Sequence, residues 1–132
     1  MIFNSPTVQK YILSGAKVVA TIRKAGYYKL GQRVAMKVGD RKFYGRVIAV
    51  SPLTPFSLDR YVDYSGFENI EVWISEAERL HKAKIDPNKF EIVVVKVVHE
   101  WSPIHNGVCK KLRVESSDNK IEIRKIEEVK QG

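Results

Sequence analysis

The sequence predicts an α+β domain, a small mixed β-barrel or pseudobarrel of about five to seven strands with two or three helices packed across it. Three observations carry this. Residues 90–98 form a strongly apolar, β-branched run with Ile92-Val93-Val94-Val95 at its heart, which suits a central strand. Ile70, Trp73, Ile74, Ala77 and Leu80 form one stripe at spacings of three and four, which predicts an amphipathic helix over 69–81. Between and beyond them lie short segments that alternate with period 2 and end in turn residues. The order (helix, three strands, helix, strand, two more strands) fits a small barrel crossed by helices.

Each element has a local reason. Ser5-Pro6-Thr7 opens a helix, with Pro6 in its first turn and Ser5 or Thr7 as cap. Val8, Tyr11 and Ile12 follow at helical spacing, and Gly15 stops it. In 17–23, Val18, Ala20 and Ile22 alternate with Lys17, Thr21 and Arg23, so an apolar face opposes one carrying two cations and a hydroxyl. Residues 24–31 form a loop containing Tyr27 and Tyr28. Val34, Met36 and Val38 alternate with Arg33, Ala35 and Lys37, and Gly39-Asp40 turns the chain into a return strand over 42–50. Residues 51–65, with Pro52 and Pro55, read as an irregular crossing with a short helical turn near 58–61. A second hairpin is expected over 110–115 and 121–126, about Ser116-Ser117-Asp118-Asn119. The organisation expected is a barrel over 1–99 with 100–132 as a hairpin extension of the same domain.

The chain has 132 residues, 44% of them hydrophobic and 29% charged, which suits one folded domain with a real core. No apolar run reaches the length of a membrane span, and the N-terminus lacks the layout of a signal peptide. A single cysteine, Cys109, permits no internal disulfide, so a reducing, cytoplasmic location is expected, with no membrane and no disulfide-linked partner. Lys, Arg and Glu are frequent and Gln is scarce, a composition found in thermophiles.

The charge is segregated. The net charge is +8, and residues 1–46 alone carry ten cations against one acid, Asp40. A polyanion-binding face accounts for such segregation, whereas charge that merely confers solubility need not cluster. These cations are interleaved with Tyr11, Tyr27, Tyr28, Phe43 and Tyr44. Cations neutralise phosphates, and aromatic rings stack on unpaired bases. Tyr27 and Tyr28, beside Arg23 and Lys24, are the foremost stacking candidates; Phe43 and Trp73 are expected in the core. Trp101 is expected to pack beneath the C-terminal hairpin. If six or more of these cations met phosphates, affinity would fall by roughly 10³ or more between 50 and 200 mM salt. His81, His99, His105 and Cys109 show no zinc-pair spacing, so no metal and no cofactor are expected.

Several stretches resemble the ASCH domain, a family of PUA-like β-barrels. Ile12-Leu13-Ser14-Gly15-Ala16-Lys17 followed by Thr21-Ile22-Arg23 is similar to the family's opening Gly-x-Lys step and Thr-x-Arg pair. Tyr28 to Val34 resembles the start of its second strand, and Gly45-Arg46-Val47-Ile48 its third. Gly66-Phe67-Glu68-Asn69 resembles its step into the helix, and 90–98 its closing strand. The resemblance spans about residues 8–99. It implies a PUA-like mixed barrel that binds RNA or single-stranded nucleic acid in a basic, aromatic-rimmed cleft. The residues expected there are Lys17, Arg23, Lys24, Tyr27, Tyr28, Lys29, Arg33, Arg41, Lys42 and Arg46.

Some ASCH members remove an acetyl group from acetylcytidine with a Lys, Thr and Glu constellation, and others have been proposed as nucleases. The alternative reading is therefore an amidohydrolase on an acetylated cytidine nucleoside, or a ribonuclease, with Lys17 and Thr21 catalytic. Here Lys17 and Thr21 stand four residues apart, where the hydrolase pattern has three. The glutamate expected before the helix is replaced by Ser65 or Gly66, with Asp63 and Glu68 nearby. Binding without catalysis is the leading expectation.

Overall fold

The structure, a computed structural model, describes residues 1–101, and Met1–Glu100 packs as one compact unit. The elements are β1 (Ile2–Phe3), α1 (Pro6–Leu13), β2 (Val18–Lys24), β3 (Arg33–Val38), β4 (Arg41–Pro52), α2 (Pro55–Tyr61), a 3₁₀ turn (Val62–Tyr64), α3 (Ile70–His81) and β5 (Phe90–Trp101). The five strands form one curled, half-barrel sheet in the order β1-β3-β4-β5-β2. The α+β class and barrel-like curl match the sequence expectation. The hairpin expected over 110–126, with His105 and Cys109, lies outside the described residues.

The sheet is built by signals of differing strength. β3 and β4 pair antiparallel, with Val38 opposite Arg41 across the Gly39-Asp40 turn. Gly39 has φ +63°, and Asp40 is not in the positive-φ region; a glycine in this region at the first central position alone is the type II′ arrangement, which matches strand twist. β4 runs on to Pro52, two residues past the expected return strand. At Gly45 a Cβ would lie 2.5 Å from Val95 Cγ1 and 2.9 Å from both the Lys96 carbonyl oxygen and Met36 Sδ. Only a glycine lets β4 come this close to its neighbours. β2 pairs antiparallel with β5, from Val18 opposite Lys96 to Lys24 opposite Phe90.

One element escapes the sequence reading, and a second exceeds the short helical turn expected near 58–61. β1, two residues long, pairs parallel with β3; a pair of residues carries no periodicity to detect. The region read as an irregular crossing holds a full helix, α2, capped by Thr54 Oγ1, which accepts from the Ser57 N–H at 3.1 Å. α3 agrees with expectation: Asn69 Oδ1 caps it by accepting from the Val72 N–H at 2.9 Å.

Two cores occupy opposite faces of the sheet. Val19, Val34, Met36, Val38, Phe43, Val47, Val93 and Val95 fill the inner face with Phe3, and α1 plugs it through Ile12. Strand residues of the opposite parity, Ala20, Ile22, Ile92 and Val94, pack on the outer face against Trp73, Ala77 and Leu58 of α3 and α2. Strand β2 and the first half of β5, residues 90–95, are thus covered on both sides. Among the described residues nothing comparable packs on the outer faces of β3 and β4: Arg33, Ala35, Lys37, Lys42, Arg46 and Ile48 are exposed, and Tyr44 is half-buried.

The outer-face reading of β2 needs correction. Thr21 and Arg23, expected on a face that meets ligand, point to the side where Val19 is fully buried. Both are half-buried rather than solvated.

Candidate nucleic-acid interface

The bare outer face of β3 and β4 concentrates charge through register. Arg33 lies directly opposite Arg46, Ala35 opposite Tyr44, and Lys37 opposite Lys42. Two like-charge pairs therefore face each other across the ladder, each an arrangement that costs stability by up to about 1 kcal/mol. Along a strand they stand four residues, or about 13 Å, apart, with Tyr44 between them. Arg46 Nη1 donates to the Gly31 carbonyl at 2.7 Å, which fixes the guanidinium beside the loop before β3.

A groove of about 500 Å³ lies on this face, lined by Arg33, Ala35, Tyr44, Arg46, Val98 and His99 among others. The His99 ring sits 5.2 Å from that of Tyr44, tilted by 37°. Partial burial, and then the positive charge of Arg33, hold the His99 pKa below its ordinary value. The imidazole is therefore neutral near pH 7. Sequence reasoning missed Lys37, Tyr44 and His99 as site residues. Lys37 and Tyr44 were legible once the hairpin register was drawn; His99 was not, because it lies more than fifty positions from Tyr44 in the chain.

The other expected residues fall elsewhere. Arg41 forms two hydrogen bonds of 2.6 Å with the Glu100 carboxylate, which offsets its charge. Tyr27 is 71% exposed in its loop, whereas Tyr28 packs against the inner core. Lys24 and Lys29 are exposed, at the end of β2 and in the loop that follows.

Arg23 is a clasp rather than a free cation. β1 and β2 are the two edges of the sheet, and Arg23 bridges them. Its Nη2 donates to the Ile2 carbonyl at 2.8 Å and its Nε to Thr21 Oγ1 at 3.1 Å, and its guanidinium lies 4.8 Å from the centre of the Phe3 ring. Burial lowers its pKa, yet an arginine stays charged. In β5 the Glu91 carboxylate stands across the ladder from Arg23, and its Oε2 is buried with no hydrogen-bond partner among the described residues.

A second groove, about 270 Å³, runs along this seam and is lined by Ser5, Thr21, Arg23, Trp73, Glu76 and His81, among others. It is where the resemblance would set a catalytic centre. Lys17 is exposed and does not line it. The carboxylate facing it is Glu76 of α3, not Asp63 or Glu68. Arg79 donates to Glu76 at 2.7 and 3.0 Å. That pair, and then the Ser5 hydroxyl, hold its carboxyl down to about 2. The Ser5 oxygen is buried with no hydrogen-bond partner among the described residues, so Arg79 is what holds the carboxyl acidic. A carboxylate held this acidic is a weak general base, and Thr21 Oγ1 already accepts from Arg23. Ser65, at the expected glutamate position, is fully buried; its Oγ donates to the Val62 carbonyl at 2.6 Å and accepts from the Phe67 N–H at 3.1 Å. Gly66, with φ +89°, backs directly onto Tyr11.

Among the described residues no three His, Cys, Asp or Glu side chains cluster as a metal site, and no helix is long and apolar enough to cross a membrane. No family model and no solved structure matches the chain. It is 61% identical over 95 residues to uncharacterized protein 105 of Sulfolobus islandicus rod-shaped virus 1, an alignment covering 72% of this chain and 90% of that protein. The chain belongs to the family of that viral protein.

Proposed function

We propose that the protein binds RNA or single-stranded nucleic acid through the bare outer face of β3 and β4, on a half-barrel of the ASCH, PUA-like type. The observation that carries this reading is the register: Arg33 against Arg46 and Lys37 against Lys42, on a face that none of the described helices covers. Opposed like charges such as Arg33 and Arg46 cost stability, and a polyanion that meets this face offsets that cost. The order and spacing of the ASCH-like motifs support the fold assignment.

Four cations on this face, rather than six or more, imply a milder salt dependence. Four phosphate contacts on a single strand give a log–log slope of about −2.8, which is about a 50-fold loss of affinity between 50 and 200 mM salt. A titration against duplex DNA, single-stranded DNA, duplex RNA and tRNA measures it. Charge reversal at Arg33, Lys37 and Arg46 together abolishes binding while the thermal unfolding transition persists. Undiminished binding by that variant rejects the reading.

A further inference from the structure

We infer that the groove over Tyr44 and His99 seats one unpaired nucleobase, with the flanking phosphates on the Arg33–Arg46 and Lys37–Lys42 pairs. The inference rests on the nucleic-acid reading above and names what this face recognises within that class. Tyr44 is the aromatic residue between the two cation pairs, and its cross-strand neighbour is Ala35. A methyl group in that position leaves the ring approachable from the β3 side. On the β5 side the tilted His99 ring and Val98, 58% exposed, bound the groove. At about 500 Å³ the groove falls in the range of small-ligand sites.

The chemistry of the lining matches a base in a strand. An aromatic floor accepts the π-face of any base, and arginines stack and bind phosphate with one planar group. Neutral His99 keeps one ring nitrogen free to accept a hydrogen bond while the other donates, so it can meet a base edge. The occupant is a single strand because a duplex keeps its base faces stacked inside and would offer this groove only phosphates.

Fluorescence anisotropy on the full-length protein tests this with a labelled octanucleotide, the same strand made fully abasic, and the corresponding duplex. The expected result is a five- to hundredfold preference for the strand that carries bases, as expected for stacking of one base. Tyr44→Ala reduces its affinity to that of the abasic strand, and Tyr44→Phe retains the preference. In the unsubstituted protein, a 2-aminopurine placed in the strand changes its emission on binding, which reads stacking independently of how Tyr44→Ala folds. Equal affinity for the abasic strand, or tighter binding of the duplex, overturns the base seat while leaving a phosphate-binding face. Absence of binding to all three ligands overturns both readings.

Discussion

The outer face of the sheet divides into two halves of the same pleat but opposite chemistry. Under α3 it presents Ala20, Ile22, Ile92 and Val94, packed against Trp73 and Ala77. Across β3 and β4 it presents Arg33, Lys37, Lys42 and Arg46 around Tyr44. The first half is stabilised by removing apolar area from water. The second contributes little burial and sets like charges against one another. A sheet face of this charge is the feature on which the proposed polyanion binding rests.

Substitutions break this comparison in order of effect. Trp73→Ala opens the covered half and lowers stability by about 3–5 kcal/mol in denaturant titration. Loss below about 1 kcal/mol would mean that α3 is not what closes that half. Arg23→Ala unfastens the seam between the sheet edges and costs about 1–3 kcal/mol. Arg23→Lys restores little of it, because an ammonium cannot span both acceptors and lie over Phe3 as a planar group does. Neither variant changes the salt slope of nucleic-acid binding; a slope lowered by about one would return Arg23 to the interface. In the bare half the signs oppose. Lys37→Glu replaces a like-charge pair with an opposite one, so stability rises by about 0.2–1 kcal/mol while affinity for single strands falls. A fall in both would show that the cations serve the fold.

pH sharpens the same contrast. Glu76, beside the covered half, has its carboxyl depressed from 4.5 to about 2. Its stabilisation is complete above the ordinary value and is lost as pH falls from about 4.5 towards 2. Glu76→Gln removes that part of the acid limb. His99, in the bare half, also has a lowered pKa, from an ordinary 6.5. Its folded form resists protonation, so its contribution to stability is lost as pH falls below 6.5. The two losses begin at different pH, near 6.5 for His99 and near 4.5 for Glu76, and a urea midpoint measured from pH 7 down to pH 2 follows both onsets.

Much of the fold was legible because it is local. The Gly39-Asp40 hairpin, the Asn69-capped helix with Trp73 inward and the apolar β5 each follow from periodicity and turn chemistry within a dozen residues. The candidate site was legible in part. Arg33, Lys42 and Arg46 belong to one face because the hairpin places them there. Thr21 and Arg23 were assigned to the wrong surroundings because period 2 separates two faces of a strand but does not say whether both are covered. Glu76 was missed since its place at the seam depends on how α3 crosses β2.

By itself, then, the sequence determined the elements, their inward stripes and the segregation of positive charge into the first third of the chain. Tertiary structure decided which of those charges share a face. It curled the sheet until Arg23 could join β1 to β2, set Glu100 against Arg41, and brought Arg33 opposite Arg46 and Lys37 opposite Lys42 on one face. The physical reason is range: helix stripes and hairpins are set by neighbours along the chain, whereas pairing and burial of a charge are set by whatever the folded backbone brings beside it.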